Sequence, residues 1–220
     1  TLLFSLRNYE RVMQAYYLSA LEARVSRGMP IDRIASVASF FVSRVDTLVD
    51  KLLGERIEAA HKAGDTARQL RLEDLLGTVA IANAKVAYAR FREIFDSDRF
   101  ARLAAQGANV QRPLWASTGV KNPAYRDVVY VEELIGPDTV NTLPLETISA
   151  FQSHGVVARS VARGLDQARA TMRALEEEAG LDFAAVTQQL EGEGVALFVQ
   201  SYDELIAGVE KKRQKMQVTR

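Results

Sequence analysis

Hydroxyl side chains gather with a cation or an amide at several places in this chain. Thr1 and Ser5 flank Leu2-Leu3-Phe4. Ser39 and Ser43 precede Arg44, and Ser117, Thr118 and Gly119 precede Lys121 and Asn122. Asn141 and Thr142 precede Pro144. A phosphate group needs several donors and compensating positive charge, which a hydroxyl, a backbone amide and a cation supply together. Arg44 and Lys121 can converge on one dianionic group where their segments are neighbours. Other chemistries are poorly served. The chain has no Cys, which excludes disulfides, thiol catalysis and thiolate metal sites. His61 and His154 lie far apart with no ligand spacing around them. Lys85 falls mid-helix and reads as solvent-facing, whereas a Schiff-base lysine needs a desolvated pocket. Glu132 and Glu133 are adjacent, so on a helix their side chains diverge and do not share a site.

The composition narrows the partners. Twenty-eight Lys and Arg balance 28 Asp and Glu across 220 residues, so no net field draws in nucleic acid or an anionic membrane surface. No run of about 18 apolar residues is present. At 48% hydrophobic and 25% charged, the chain has the balance of a folded globular protein rather than a disordered one.

Four short apolar runs set up these groups: residues 1–5, 34–41, 113–116 and 139–143, each read as a strand. Helical spacing fills the intervals. Asn8 is the expected cap of a first helix carrying Val12, Met13, Tyr16, Ala20 and Ala23, which Arg27, Gly28 and Pro30 end. Val45, Leu48, Val49 and Leu52 mark the next, and residues 54–107 are helix-rich. Val128 to Val131 favour extended structure on propensity, but their context favours a short helix, closed by Gly136-Pro137. Pro144 opens another helix. Beyond residue 156 the spacing predicts a helix ended by Gly180, one capped by Asp182, and a separate last helix with Phe198, Tyr202, Leu205 and Val209. Strands alternating with helices mean parallel strands joined by helical crossovers. In barrels of such strands the chemistry lies at the carboxyl ends, where the hydroxyls and cations fall.

At these residues the sequence resembles the transaldolases, particularly the longer bacterial type. The matching stretches are Thr1-Leu2-Leu3-Phe4-Ser5, Ser39-Phe40-Phe41-Val42-Ser43-Arg44-Val45-Asp46, Trp115-Ala116-Ser117-Thr118-Gly119-Val120-Lys121-Asn122-Pro123, and Gly136-Pro137-Asp138-Thr139-Val140-Asn141-Thr142-Leu143-Pro144. The resemblance implies an α/β fold, the C-terminal half of a (β/α)8 TIM barrel of the class I aldolase type. Residues 1–155 would form that half, with a helical insertion at about 54–107, and residues 156–220 would be helices packed on the barrel. It implies transfer of a dihydroxyacetone unit between sugar phosphates through a lysine Schiff base, in the pentose phosphate pathway, in the cytoplasm, with no metal or organic cofactor. Arg44 corresponds to a phosphate-binding arginine and Ser117 to a phosphate-binding serine. Lys121 and Asn122 stand near a second phosphate contact, in a loop longer than in shorter members. Ser39 matches an active-site serine, and Thr1 a threonine beside the Schiff-base region.

The family's Schiff-base lysine belongs to the strand before the one that opens this chain, and no lysine here fills its place. The chain begins in a strand-like run without the basic segment and apolar core of a signal peptide. The expectation is therefore a piece of a longer protein, inactive alone, whose partners are sugar phosphates and an N-terminal barrel segment, not nucleic acid or membrane. Two rival readings are a noncatalytic helical interaction module and another Schiff-base sugar-phosphate aldolase.

Overall fold

The computed structural model describes residues 1–218. It is a mixed α/β structure with a small parallel sheet. Strands β1 (Ser36–Phe41), β2 (Gln111–Ala116) and β3 (Val140–Asn141) pair in that order, with Phe40 beside Trp115 and Trp115 beside Asn141. Leu3 adds a parallel bridge to Phe40: its N–H donates to the Ser39 carbonyl, and its own carbonyl accepts from the Phe41 N–H. The four runs read as strands thus lie side by side in chain order. The first contributes one bridge and the last two residues.

Helices make every crossover. Helix α1 (Leu6–Arg11) continues through a π-helical stretch (Val12–Leu18) into α2 (Ser19–Ser26). Between β1 and β2 come α3 (Ser43–Lys62), α4 (Thr66–Glu73), α5 (Val79–Phe95) and α6 (Asp98–Ala104). Helix α7 (Val129–Glu132) joins β2 to β3, and α8 (Leu145–His154), α9 (Leu165–Glu177) and α10 (Phe183–Val218) follow. Small side chains cap several starts. Asp65 accepts from the Arg68 N–H at 3.0 Å, and the Ser97 hydroxyl oxygen accepts from the Phe100 N–H. The short helix favoured by context over propensity is α7. Burial decides it: Val128, Tyr130, Val131 and Leu134 are all inside, and the Trp115 indole N–H donates to the Leu134 carbonyl at 3.0 Å.

Two expectations about helix ends are corrected. The first cap is Ser5, not Asn8: the Ser5 hydroxyl oxygen accepts from the Asn8 N–H at 3.2 Å, and helix begins at Leu6. Asn8 lies inside the first turn and donates its side-chain amide to Glu191. The second correction is that residues 183–218 form one continuous helix. Gly192 and Gly194 are interior to it, because a glycine weakens a helix by only about 1 kcal/mol and no proline follows to stop it.

The core lies between the sheet and α5. Phe40 meets Trp115 edge-on at 6.1 Å and Tyr9 edge-on at 5.4 Å. On α5, Phe91 and Phe95 stack in sequence and carry the cluster to Phe100. Helix α9 packs on α5. The start of α10 is anchored by Phe183, Val186 and Leu190 in the same core, whereas Phe198, Tyr202, Leu205 and Val209 are exposed.

The capping assignment has a direct test. Ser5→Ala should lower stability by about 1 kcal/mol in urea unfolding, the usual worth of an N-cap hydroxyl. Asn8→Ala, which removes only an exposed hydrogen bond, should cost clearly less. The reverse order would restore Asn8 as the cap.

Candidate functional site

The ladder between β1 and β2 does not stop at the last strand residues. The Val42 N–H donates to the Ala116 carbonyl and the Ser43 N–H to the Ser117 carbonyl, both at 2.9 Å. This continuation holds the two strand ends together as the chain turns into α3. It brings the Ser43 and Ser117 hydroxyls to 2.9 Å of each other. Ser117 has a φ of 56°, a left-handed conformation that few residues other than glycine adopt, and the chain leaves the strand plane there. Arg44, one residue on, is in the first turn of α3 and half-buried. Its guanidinium carbon lies 5.7 Å from the centre of the Phe41 ring, within range of a cation–π contact. Among the described residues Arg44 has no carboxylate partner at ion-pair distance. The two hydroxyls thus meet at adjacent strand ends, and Arg44 follows Ser43 in the first turn of the helix. Hydroxyls, backbone amides and a cation are the groups that an anion of phosphate size takes.

Thr1 and Ser39 are also brought together. The Ser39 N–H donates to the Thr1 hydroxyl oxygen at 2.7 Å. Lys121 and Asn122 lie elsewhere in the turn after Ser117 and are exposed. The Asn122 side-chain carbonyl accepts from the Ala124 N–H at 3.0 Å, so it shapes its own turn. Lys121 makes no hydrogen bond or ion pair among the described residues. Thr118 is fully buried and donates to Asn141 at 2.7 Å, tying the end of β2 to β3.

The residues set aside also have definite places. Lys85 is not solvent-facing: it pairs with Glu133 at 2.7 Å and its side chain is 11% exposed, because α5 lies against the segment after α7. Glu132 points the other way, to Arg126 at 2.8 Å. His154 meets Asp127, and His61 meets Gln69. Among the described residues no group of three or more His, Asp and Glu is placed to hold a metal ion. No helix there is long and apolar enough to cross a membrane.

Below the site is a set of contacts that the sequence did not announce. Asp46 and Asp50 are one turn apart on α3. Asp46 is buried, accepting from the Ala80 N–H and from the Tyr130 hydroxyl, each at 2.7 Å. Asp50 accepts from the Gly77 N–H at 3.0 Å and from the Tyr125 hydroxyl at 2.8 Å. Gly77 has a φ of 68°, and a Cβ there would lie 2.6 Å from the Tyr125 ring. The helix that carries Arg44 thus also holds the far end of the loop that begins at Ser117. Ser43 was named only as a hydroxyl preceding Arg44 and given no role of its own. Its only sequence signal is its position between Ser39 and Arg44.

Burial pushes the Asp46 carboxyl up from 3.8 to about 7, against the lowering effect of its two hydrogen bonds. Burial raises Asp50 as well. A carboxyl whose folded pKa is raised contributes its stability in full below the unfolded value and loses it as pH rises through the folded value. Stability should therefore fall between about pH 4 and about pH 7. Asp46→Asn should flatten that fall in urea midpoints measured across the range. Asp50 should leave a residual slope of the same sign. Parallel slopes for the two proteins would remove Asp46 as its source.

The sequence profile of the family described as Transaldolase/Fructose-6-phosphate aldolase matches residues 1–209. A protein named transaldolase from Trichodesmium erythraeum is 45% identical over 217 residues, covering 98% of this chain and 56% of that protein. Transaldolase 1 of Streptomyces coelicolor is 48% identical over 215 residues, covering 96% of this chain and 52% of that protein. The transaldolase of Mycolicibacterium smegmatis is 46% identical over 208 residues, covering 94% and 52%. The chain spans about half the length of these curated relatives.

Proposed function

The chain belongs to the transaldolase/fructose-6-phosphate aldolase family, and from that premise we propose that it carries the phosphate-binding half of a transaldolase active site. In this reading residues 1–155 are the second half of a (β/α)8 barrel of the class I aldolase type. The reaction moves a dihydroxyacetone unit from sedoheptulose 7-phosphate to glyceraldehyde 3-phosphate, giving erythrose 4-phosphate and fructose 6-phosphate, a step of the pentose phosphate pathway carried out in the cytoplasm. The observation that carries the reading is the meeting of the Ser43 and Ser117 hydroxyls at adjacent parallel strand ends, with Arg44 the next residue along the helix that starts there.

The roles follow from chemistry. Arg44 supplies the charge for the sugar phosphate, and its stacking on Phe41 leaves its N–H groups free to donate. Ser43 and Ser117 supply hydroxyl donors beside it. Thr1 and Ser39, joined by their hydrogen bond, stand at the two strands nearest the missing Schiff-base lysine and orient the donor sugar. Lys121, exposed and unengaged, is assigned to a second contact with the sugar phosphate. Asn122 fixes the turn itself. The lysine that forms the covalent bond lies upstream of Thr1 in the parent protein, so the chain alone binds sugar phosphate and does not turn it over.

Two measurements test this. Fructose 6-phosphate should raise the melting temperature of the chain, whereas fructose should not. Arg44→Ala should weaken the phosphate ester by about 1.5–3 kcal/mol, the worth of a hydrogen bond to a charged group. Equal protection by the two sugars would sink the phosphate site. Second, borohydride reduction in the presence of fructose 6-phosphate should leave every lysine of this chain unmodified by mass. It should modify one lysine of the upstream segment when that segment is supplied. An adduct on this chain would relocate the covalent chemistry.

A further inference from the structure

The turn that joins α4 to α5, residues 74–78, is tied down on several sides. Leu72, Leu75 and Val79 sink into the core around it, and the Thr78 hydroxyl donates to the Leu75 carbonyl at 2.8 Å. Within it Gly77 takes a φ of 68°, in the left-handed region that glycine enters without strain. Its N–H donates to Asp50 on α3 at 3.0 Å. A Cβ on Gly77 would lie 2.6 Å from the Tyr125 ring, so the ring fills the space that the missing side chain leaves. The Tyr125 hydroxyl donates to the other Asp50 oxygen at 2.8 Å. Ring and hydroxyl are thus held together, the ring by the turn and the hydroxyl by α3.

Tyr125 closes the segment that follows β2. The near end of that segment is fixed at Ser117 by the extended ladder and at Thr118 by its bond to Asn141. Between the two ends Lys121, Asn122, Pro123 and Ala124 are all exposed. Their hydrogen bonds stay inside the turn. The Ala124 N–H donates to the Asn122 side chain, and the Tyr125 N–H to the Asn122 backbone carbonyl at 3.1 Å. Lys121 is four residues from Ser117 and four from Tyr125. Untied at Tyr125, it would be free within the reach of four extended residues, about 14 Å. We infer that Asp50, Gly77 and Tyr125 are positioning residues for sugar-phosphate binding: the α4–α5 turn seats the Tyr125 ring, Asp50 holds its hydroxyl, and the two together set the place of Lys121. The inference rests on the phosphate-site reading of these strand ends.

The reason is the nature of the cation. A lysine ammonium is a point charge on a flexible stem, and any disorder of its turn that binding must freeze is subtracted from the affinity. A tie made in the free protein removes that cost beforehand. The companion pair, Asp46 with Tyr130, is built differently. Both residues are 2% exposed, and Tyr130 belongs to α7, further along the chain from Lys121. That inner pair fixes a core helix. The outer pair is half-buried and fixes a turn whose lysine is unpaired among the described residues. The α4–α5 turn thereby takes part in binding through Tyr125 rather than through a contact of its own.

Two readouts on this chain test the assignment: amide hydrogen exchange of residues 119–124, and the Kd for fructose 6-phosphate by calorimetry. Tyr125→Phe should speed exchange there and raise Kd several-fold, about as much as Lys121→Ala does. The double variant should bind no more weakly than Lys121→Ala alone, because the ring acts only through that lysine. Gly77→Ala, which pushes the ring off its seat, should reproduce Tyr125→Phe; where it does not fold, Tyr125→Phe, which removes a single oxygen, carries the test. Tyr130→Phe should lower the urea midpoint and leave both readouts unchanged. A Tyr125→Phe protein that is less stable but binds as before has a merely structural hydroxyl, and the inference is overturned. Losses that add in the double variant overturn it equally. Binding that Arg44→Ala weakens and Tyr125→Phe leaves alone keeps the phosphate site and removes only this inference. An unaltered chain that binds fructose 6-phosphate no better than fructose removes both.

Discussion

The parallel pairing of β1 with β2 governs the rest of this molecule. Parallel neighbours cannot be joined by a tight turn, so every connection must leave the sheet and return through a helix. All carboxyl ends then lie on one side, and loops separated by some seventy residues of sequence become neighbours. Ser43 and Ser117 meet for this reason alone. Their two backbone bonds, from Val42 to Ala116 and from Ser43 to Ser117, extend the ladder one step past the strands and fix the hydroxyls before the chains diverge. Arg44 inherits its position from that step, because it is the next residue on a helix that starts there.

Helix α3 does a second job through the opposite side of its first turns. Asp46 and Asp50 reach the α5 start, the Gly77 turn and two tyrosines from the segment before and within α7. The segment that follows β2 is consequently held at both ends by one rigid element, at Ser117 by the ladder and at Tyr125 and Tyr130 by carboxylates. Burying Asp46 costs stability once it ionises, as its raised pKa records. What the arrangement supplies is four directed hydrogen bonds between elements that would otherwise touch only through apolar side chains, whose contacts do not specify a register.

Legibility in the sequence followed the range of the forces involved. The strand ends were readable because short apolar runs, hydroxyls and prolines are local signals. So were the stops at Gly28 and Gly180 and the Asp182 cap, where two N–H groups donate to the carboxylate. The first cap was misplaced by three residues because Ser5 and Asn8 are equally good cap types, and only the end of the Leu3 strand decides between them. Asp46 carries no local sign of burial. Its partners Ala80 and Tyr130 are 34 and 84 residues away, and no local pattern encodes such a meeting. Lys85 failed in the same way: its stem is covered by the segment carrying Glu133, 48 residues on.

Arg44 differs from the paired arginines of this surface in what orients it. Several other arginines have carboxylate partners: Arg90 with Glu10 and Glu93, Arg99 with Glu22, Arg126 with Glu132. Each of those pairs neutralises its own charge, and Arg90–Glu10 and Arg99–Glu22 also join two elements. Arg44 is half-buried and steered by an aromatic face, which orients a guanidinium without cancelling its charge. A cation placed so, with hydroxyls at its side, gains its full electrostatic interaction only when an anion arrives from outside the protein. Had a carboxylate stood beside it, phosphate binding would first have to break an internal pair, and most of the gain would be lost. The lack of that pair among the described residues is therefore part of the geometry of the site, as much as the 2.9 Å between Ser43 and Ser117.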